Sequence, residues 1–168
     1  MEGVEVLYRA WLGRLYAQYL IHGVKEVTII YDETPSCVAI AASVAALAED
    51  RVLAAVKSGE IREEVDNALL IMNPQVERLG ERAAAVLKKV RRFVALHTPV
   101  FYALDEVKDV SALLEGKEVR FAVRETPWEV TFYKVVASRD GLKTEPYAAK
   151  TLTPGEVELI RKFEILKA

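Results

Sequence analysis

The hydrophobic positions along the chain change period several times, and each change predicts a new element. Over residues 4–22 the apolar side chains recur every three or four positions, which is typical of an amphipathic helix, and Gly23 is a common helix stop. From there to about residue 105, short runs rich in β-branched and aliphatic residues predict strands. These runs are residues 26–31, 52–56, 68–72, 93–96 and 101–104.

Helical segments separate these predicted strands. The small apolar stretch 37–48 is long enough for a helix packed closely on a sheet, residues 75–90 have a helical apolar face, and 107–114 fits a short helix. Residues 61–66 are polar and predict a short helix or a loop. Strands that alternate with helices favour a parallel sheet with right-handed crossovers. The expected fold class is therefore three-layer α/β, a parallel sheet with flanking helices over residues 1–118.

The last third of the chain, residues 119–168, has a different pattern. Residues 119–124 alternate apolar and polar, 128–137 form a longer strand pattern, and an Asp-Gly turn at 138–141 leads to a returning strand at 142–150. Thr153, Pro154 and Glu156 have the spacing of a capping box that opens a helix. We expect a small antiparallel extension packed on the same domain.

Composition narrows the class of protein. The 168 residues are 52% hydrophobic and 29% charged, with a net charge of −2 and a single cysteine, which excludes a polybasic nucleic-acid binder and a disulfide framework. No apolar run reaches the roughly 18 residues of a membrane span, and Glu2, Glu5 and Arg9 interrupt any signal-peptide pattern. We expect a soluble cytoplasmic protein with no membrane partner. Two Asn and two Gln in the whole chain favour a thermophile.

In parallel α/β sheets, ligands bind beyond the carboxyl ends of the strands. Those ends are residues 32–36, 57–59, 73–75 and 97–99. The first loop joins a strand to a small-residue helix, as phosphate loops do. No glycine lies between Asp32 and Ala48, however, and P-loops and dinucleotide loops need glycine for close backbone approach. The sequence therefore predicts no cofactor.

This frame of strand, loop and small-residue helix resembles the DHH phosphoesterase superfamily, which includes the RecJ nucleases. That family has His-x-Asp-x-Asp-Gly after its first strand, an aspartate after a later strand, and then Asp-His-His. The corresponding positions of this chain are Asp32, Thr34, Ser36 and Cys37, then Asn73, then Leu96, His97 and Thr98. Of the family's signature residues, only His97 is retained.

The substitutions predict lost catalysis. Two divalent ions need several carboxylates and imidazoles. The candidate ligands in this chain are Asp32, which replaces a family histidine, and His97, with Glu33 as a further candidate, so we predict no metal site and no catalytic residues. Within the superfamily, the branch known for lost catalysis is the RecJ-like subunit of the archaeal replicative helicase. The resemblance implies a non-catalytic DNA replication factor whose partners are the GINS complex and the MCM helicase. We expect the docking face on the last third, at Trp128, Val130, Phe132, Tyr133 and Lys134.

Two other functions fit the same residues. Cys37 and His97 on adjacent strand ends, with Asp32, would suit a small hydrolase, although a buried thiol and a hydrogen-bonded loop histidine are the ordinary interpretations. Asp32 itself has the position of a cap for the following helix. A single-stranded nucleic-acid-binding module would use the basic and aromatic sheet of the last third. Its phosphate contacts would come from the basic run of Lys88, Lys89, Arg91 and Arg92.

Overall fold

The computed structural model describes residues 3–138 and 141–167, and these form one sheet of seven strands flanked by helices. The strands are β1 (Val27–Tyr31), β2 (Val52–Lys57), β3 (Val65–Ile71), β4 (Val90–Leu96), β5 (Glu118–Thr126), β6 (Glu129–Ser138) and β7 (Gly141–Thr151). They lie in the order β2-β1-β3-β4-β5-β6-β7. Pairs from β2 to β5 are parallel, and β6 is antiparallel to both β5 and β7.

Helices cover both faces of this sheet. They are α1 (Gly3–Leu15), α2 (Pro35–Ala48), α3 (Leu79–Leu87), α4 (Thr98–Ala103), α5 (Val110–Leu114) and α6 (Pro154–Lys167). Alternate strand residues point to opposite faces, so Ile29 joins a core with α1, α2 and α6, while Ile30 joins one with α3, α4 and α5. The expected three-layer α/β fold with an antiparallel extension is confirmed. No helix in the described ranges has the length and apolar character needed to cross a bilayer.

The antiparallel strands continue the parallel sheet because β5 pairs on both sides. Phe93 of β4 is in register with Glu118 of β5, and Val119 of β5 is in register with Val135 of β6. The predicted capping box of α6 is confirmed: the Thr153 hydroxyl accepts from the Glu156 amide at 3.2 Å, and the Glu156 carboxylate accepts from the Thr153 amide at 2.9 Å. The predicted Asp-Gly turn includes residues 139 and 140, which lie outside the described residues.

Three predicted elements differ from the structure. The prediction of a strand at 101–104 is wrong, because α4 begins at Thr98 and continues to Ala103. The helix expected over 75–90 is shorter, since Arg78 has a left-handed backbone (φ 59°) just before α3 and Val90 already belongs to β4. The helix expected to His22 ends at Leu15 and continues as a wider turn, Tyr16–Leu20.

Gly13 sets the distance between α1 and α2. A Cβ built at this position would lie 2.5 Å from the Ser43 Cβ and 2.8 Å from the Ile40 carbonyl oxygen. We therefore expect Gly13→Ala to lower the free energy of unfolding by about 1–3 kcal/mol through overpacking, although alanine favours helices. Chemical denaturation measures this, with Gly3→Ala as the control, since no heavy atom lies within 4 Å of a Cβ there. A Gly13→Ala protein as stable as the wild type would contradict the close helix contact.

Candidate functional site

The carboxyl ends of the parallel strands meet at one edge of the sheet, as the sequence predicts. Asp32 follows β1, Asn73 lies just beyond β3, and His97 follows β4. Backbone hydrogen bonds continue the pairing past the strands, from the Asp32 amide to the Ile71 carbonyl and from the His97 amide to the Leu70 carbonyl, both at 2.9 Å. Parallel register therefore brings residues far apart in sequence into one site.

Asp32 is the centre of a dense hydrogen-bond cluster. Oδ1 accepts from the Ser58 hydroxyl at 2.5 Å and from Arg82 Nη1 at 2.9 Å. Oδ2 accepts from the Asn73 amide at 2.7 Å and from Arg82 Nη2 at 3.1 Å. A carboxylate has about four lone-pair sites, and all of them are used here. The prediction that Asp32 caps α2 is wrong, because the backbone amide that donates to its carboxylate belongs to Asn73, in the loop after β3.

These contacts keep the carboxyl group of Asp32 ionised although it is buried. Its side chain is only 6% exposed, and burial on its own raises the pKa of the carboxyl. The hydrogen bonds from Arg82, Ser58 and Asn73, with the Arg82 charge, outweigh burial and lower that pKa below its ordinary value. The sequence interpretation missed Arg82 and Ser58, since nothing in the spacing of α3 marks one arginine as turned towards a loop 50 residues earlier.

His97 and Tyr16 form a second buried pair. The Tyr16 hydroxyl lies 2.6 Å from His97 Nδ1, and both residues are at most 5% exposed. Burial is the main cause that raises the pKa of the Tyr16 phenol, so the phenol stays protonated and can donate to the imidazole. The interpretation of His97 as a hydrogen-bonded loop histidine is confirmed. Tyr16 was missed because the wide turn that presents it interrupts the helical pattern.

Cys37 lies in the first turn of α2 and is 2% exposed. Burial raises the pKa of its thiol, and the hydroxyls of Thr34 and Ser36 only partly oppose this effect. A nucleophilic cysteine needs the reverse shift, towards the thiolate. The structure thus confirms a small buried thiol, and this chemistry disfavours the hydrolase interpretation.

A cavity of about 820 Å³ opens above this edge of the sheet, on the side covered by α1 and α6. Ser36, Cys37, Asn73, His97 and Thr98 are among the residues that line it. The Thr98 hydroxyl donates to the Ala122 carbonyl at 2.9 Å. Leu96 does not face this cavity, since it is buried in the core on the other face of the sheet.

These residues do not fit the two-metal centre of the resembled family. Asp32 has no acceptor site left, while Thr34, Asn73 and Leu96 carry no charge. Across the described ranges, no three His, Cys, Asp or Glu side chains come close enough together to hold a metal ion. A hydrolytic step through bound metal ions therefore has no ligand set at this edge.

The predicted nucleic-acid-binding run lies at the amino ends of the parallel strands, opposite the candidate site, where β4 begins. Arg91 pairs with Asp66 at 2.9 Å, and Arg92 lies 4.0 Å from the same carboxylate. Lys89 donates to the Arg62 carbonyl at 3.2 Å, and Lys88 is exposed. Acidic neighbours thus partly neutralise this run, which reduces its attraction for phosphates.

The predicted docking residues divide into two groups. Trp128 is 61% exposed, and Tyr133 and Lys134 are half-buried. Val130 and Phe132 are 6% and 0% exposed, so they belong to the core and the docking prediction is wrong for these two. Both side chains belong to the core on the side of the sheet that carries α1, α2 and α6.

Arg120 of β5 is engaged by contacts within the fold. Arg120 donates to the Leu20 and His22 carbonyls at 3.2 and 2.8 Å, and its guanidinium lies over the rings of Phe93 and Tyr147. It thereby satisfies carbonyls left open at the end of the wide turn. Its contacts are those of a structural residue rather than of a platform for bases.

No protein-family model, curated protein or solved structure was found to match this chain. The resemblance to DHH phosphoesterases therefore rests only on the order of strand, loop and helix in the sequence and on the positions of the motif residues.

Proposed function

We propose that this chain is a non-catalytic DHH/RecJ-like subunit of an archaeal replicative helicase assembly, in which it binds the GINS complex and, together with it, MCM. The observation that carries this proposal is the saturated carboxylate of Asp32. Arg82 places a positive charge, built into the fold, on the carboxylate that stands where the resembled family has the first histidine of its metal-binding motif.

The other positions of the motif support the same conclusion. Asn73 uses its backbone amide to bind Asp32, and its side-chain oxygen accepts from the Gln75 amide at 2.9 Å. His97 is engaged with Tyr16. The site is thus tied together by hydrogen bonds among its own residues, which stabilises the loops. A rigid scaffold of this kind suits a subunit that binds other proteins.

Partner binding is assigned to the surface around Trp128, which follows β5. Tryptophan is enriched among the residues that dominate the binding energy of protein interfaces, and Trp128 is 61% exposed. Arg124 of β5 donates to the carbonyl of Pro127, next to Trp128, at 2.9 Å. It also pairs with Glu164 of α6 at 2.9 Å, which fixes this part of the sheet against the helix.

The first experiment is co-purification of the tagged chain from its native cells, with bound proteins identified by mass. We expect GINS subunits in near-stoichiometric amounts. Recovery of the chain without GINS would overturn the proposal. So would a metal-dependent phosphoester hydrolysis by the purified chain that Asp32→Ala abolishes, since it would show that Asp32 still serves catalysis.

Trp128→Ala tests the docking face. We expect the affinity for purified GINS, measured by titration calorimetry, to fall at least about tenfold, as for a central aromatic residue of an interface. Tyr102→Ala is the matched control, because Tyr102 is an aromatic residue 54% exposed on α4 and should leave the affinity unchanged. Equal affinities of the wild type and Trp128→Ala would place the docking face elsewhere while leaving the partner in place.

A further inference from the structure

The outermost strands of the sheet, β7 and β2, differ in how well they are protected from pairing with a further strand. β7, at one edge, carries Lys143, Glu145, Pro146 and Lys150, and its pairing with β6 shifts register next to Pro146. Charges, proline and irregular pairing are the devices that keep an edge strand from adding another strand. β2, at the other edge, has no proline and no charge before its last residue, although its pairing with β1 shifts register once, at Leu53.

The edge of β2 is both apolar and open. Its sequence is Val-Leu-Ala-Ala-Val-Lys, and Leu53 is 68% exposed. Ala54 and Ala55 are exposed as well. Since β2 pairs with β1 on one side only, alternate residues leave their amide and carbonyl groups free on the other. An edge of this composition is built to be covered by another strand.

We propose that a second copy of this chain covers it, with the two β2 strands antiparallel across a two-fold axis so that both sheets become continuous. The charges at the ends of β2 favour this occupant. Glu49 and Asp50 precede the strand, and Lys57 ends it. Antiparallel pairing brings each Lys57 towards the acidic pair of the other copy, and the symmetry forms both contacts at once.

The centre of the strand fits a two-fold axis. Identical residues face each other there, and Ala54 and Ala55 allow this without crowding. Lys57 already pairs with Glu33 at 3.0 Å, but the two side chains are 39% and 65% exposed, so the ammonium group remains accessible to a further carboxylate. Leu53 of each copy would be covered by the strand of the other.

Light scattering after size exclusion, over a series of concentrations, tests the proposal. We expect the wild type to reach twice the chain mass of 18.8 kDa. Leu53→Lys should weaken the dimer at least about tenfold, because it sets like charges against each other across the axis. Leu142→Lys, on the opposite edge where Leu142 is 42% exposed, is the matched control and should leave the dimer intact.

A charge exchange identifies the second copy as the occupant. Asp50→Lys should weaken the dimer, and Asp50→Lys combined with Lys57→Asp should restore it, since every copy then carries both complementary ends. A monomer at all concentrations would overturn the proposal, as would a dimer that Leu53→Lys leaves unchanged. A monomer whose binding to GINS is lost in Leu53→Lys would assign the edge to a strand of that partner instead.

Discussion

Replacing Phe132 by alanine is expected to lower the free energy of unfolding by about 3–5 kcal/mol, the usual cost of removing a buried aromatic side chain. Phe132 is 0% exposed and belongs to the core on the side of the sheet that carries α1, α2 and α6. Its ring stacks on Tyr19 with centroids 5.0 Å apart, and the ring of Tyr147 lies 6.3 Å away. Truncation leaves a cavity between these rings that the rigid sheet cannot close.

Denaturation in guanidinium chloride, followed by circular dichroism, measures this effect. Trp128→Ala is the control, because exposed substitutions away from special contacts change stability by less than about 0.5 kcal/mol. The pair of variants separates the two groups of residues first assigned to one docking face. If Phe132→Ala were as stable as Trp128→Ala, Phe132 would be a surface residue and the packing of β6 against the wide turn Tyr16–Leu20 would be wrong.

The order of strands and helices was predictable because the hydrophobic periods of strands and helices differ. Buried parallel strands are nearly continuous apolar runs, and four of those found in the sequence, near β1 to β4, are strands in the structure. The same signal fails at residues 101–104, since four apolar residues in a row fit a buried helix turn equally well. There, Pro99 was the better guide, because it favours the first turn of a helix.

The site was predictable only in outline. Parallel topology explains why Asp32, Asn73 and His97 share one edge. The partners that define their chemistry come from helices whose rotation the sequence does not fix. Arg82 lies on α3 between Glu81 and Ala83, and Tyr16 lies on a turn that departs from helical geometry. Burial of Val130 and Phe132 was missed for a similar reason, since alternation shows that a strand has two faces but not which of them is covered.

Replacing Arg82 by alanine is expected to destabilise the protein by about 3 kcal/mol near neutral pH, because it leaves the buried carboxylate of Asp32 without its counter-charge. Ser58 and the Asn73 amide still donate to Asp32, and Arg82 is itself 29% exposed, so the lower end of the range for broken buried pairs applies. Arg91→Ala is the control. Its ion pair with Asp66 has the same 2.9 Å length, but the two side chains are 56% and 40% exposed, and such pairs contribute about 0–1 kcal/mol.

The pH dependence of this difference identifies its cause. In the wild type the pKa of Asp32 is lower in the folded state than in the unfolded chain. Its contribution to stability is therefore fully present above the unfolded value of about 3.9 and is lost as the pH falls through the folded value. Without Arg82, burial is less opposed and the folded pKa rises. Protonation then relieves the buried charge in mild acid, so the destabilisation should be largest near pH 7 and shrink towards about pH 4.

A double-mutant cycle with Asp32→Asn completes this test. Asparagine keeps the shape of the side chain but removes the charge, so Arg82→Ala should cost much less in that background than in the wild type. The difference between the two costs is the coupling energy of the pair, which we expect to exceed about 1 kcal/mol for a hydrogen-bonded, partly buried contact. Equal costs in both backgrounds, or a cost that does not change with pH, would mean that Arg82 stabilises α3 by packing and that Asp32 keeps a carboxylate able to bind a metal ion. That outcome would remove the observation on which the non-catalytic function rests.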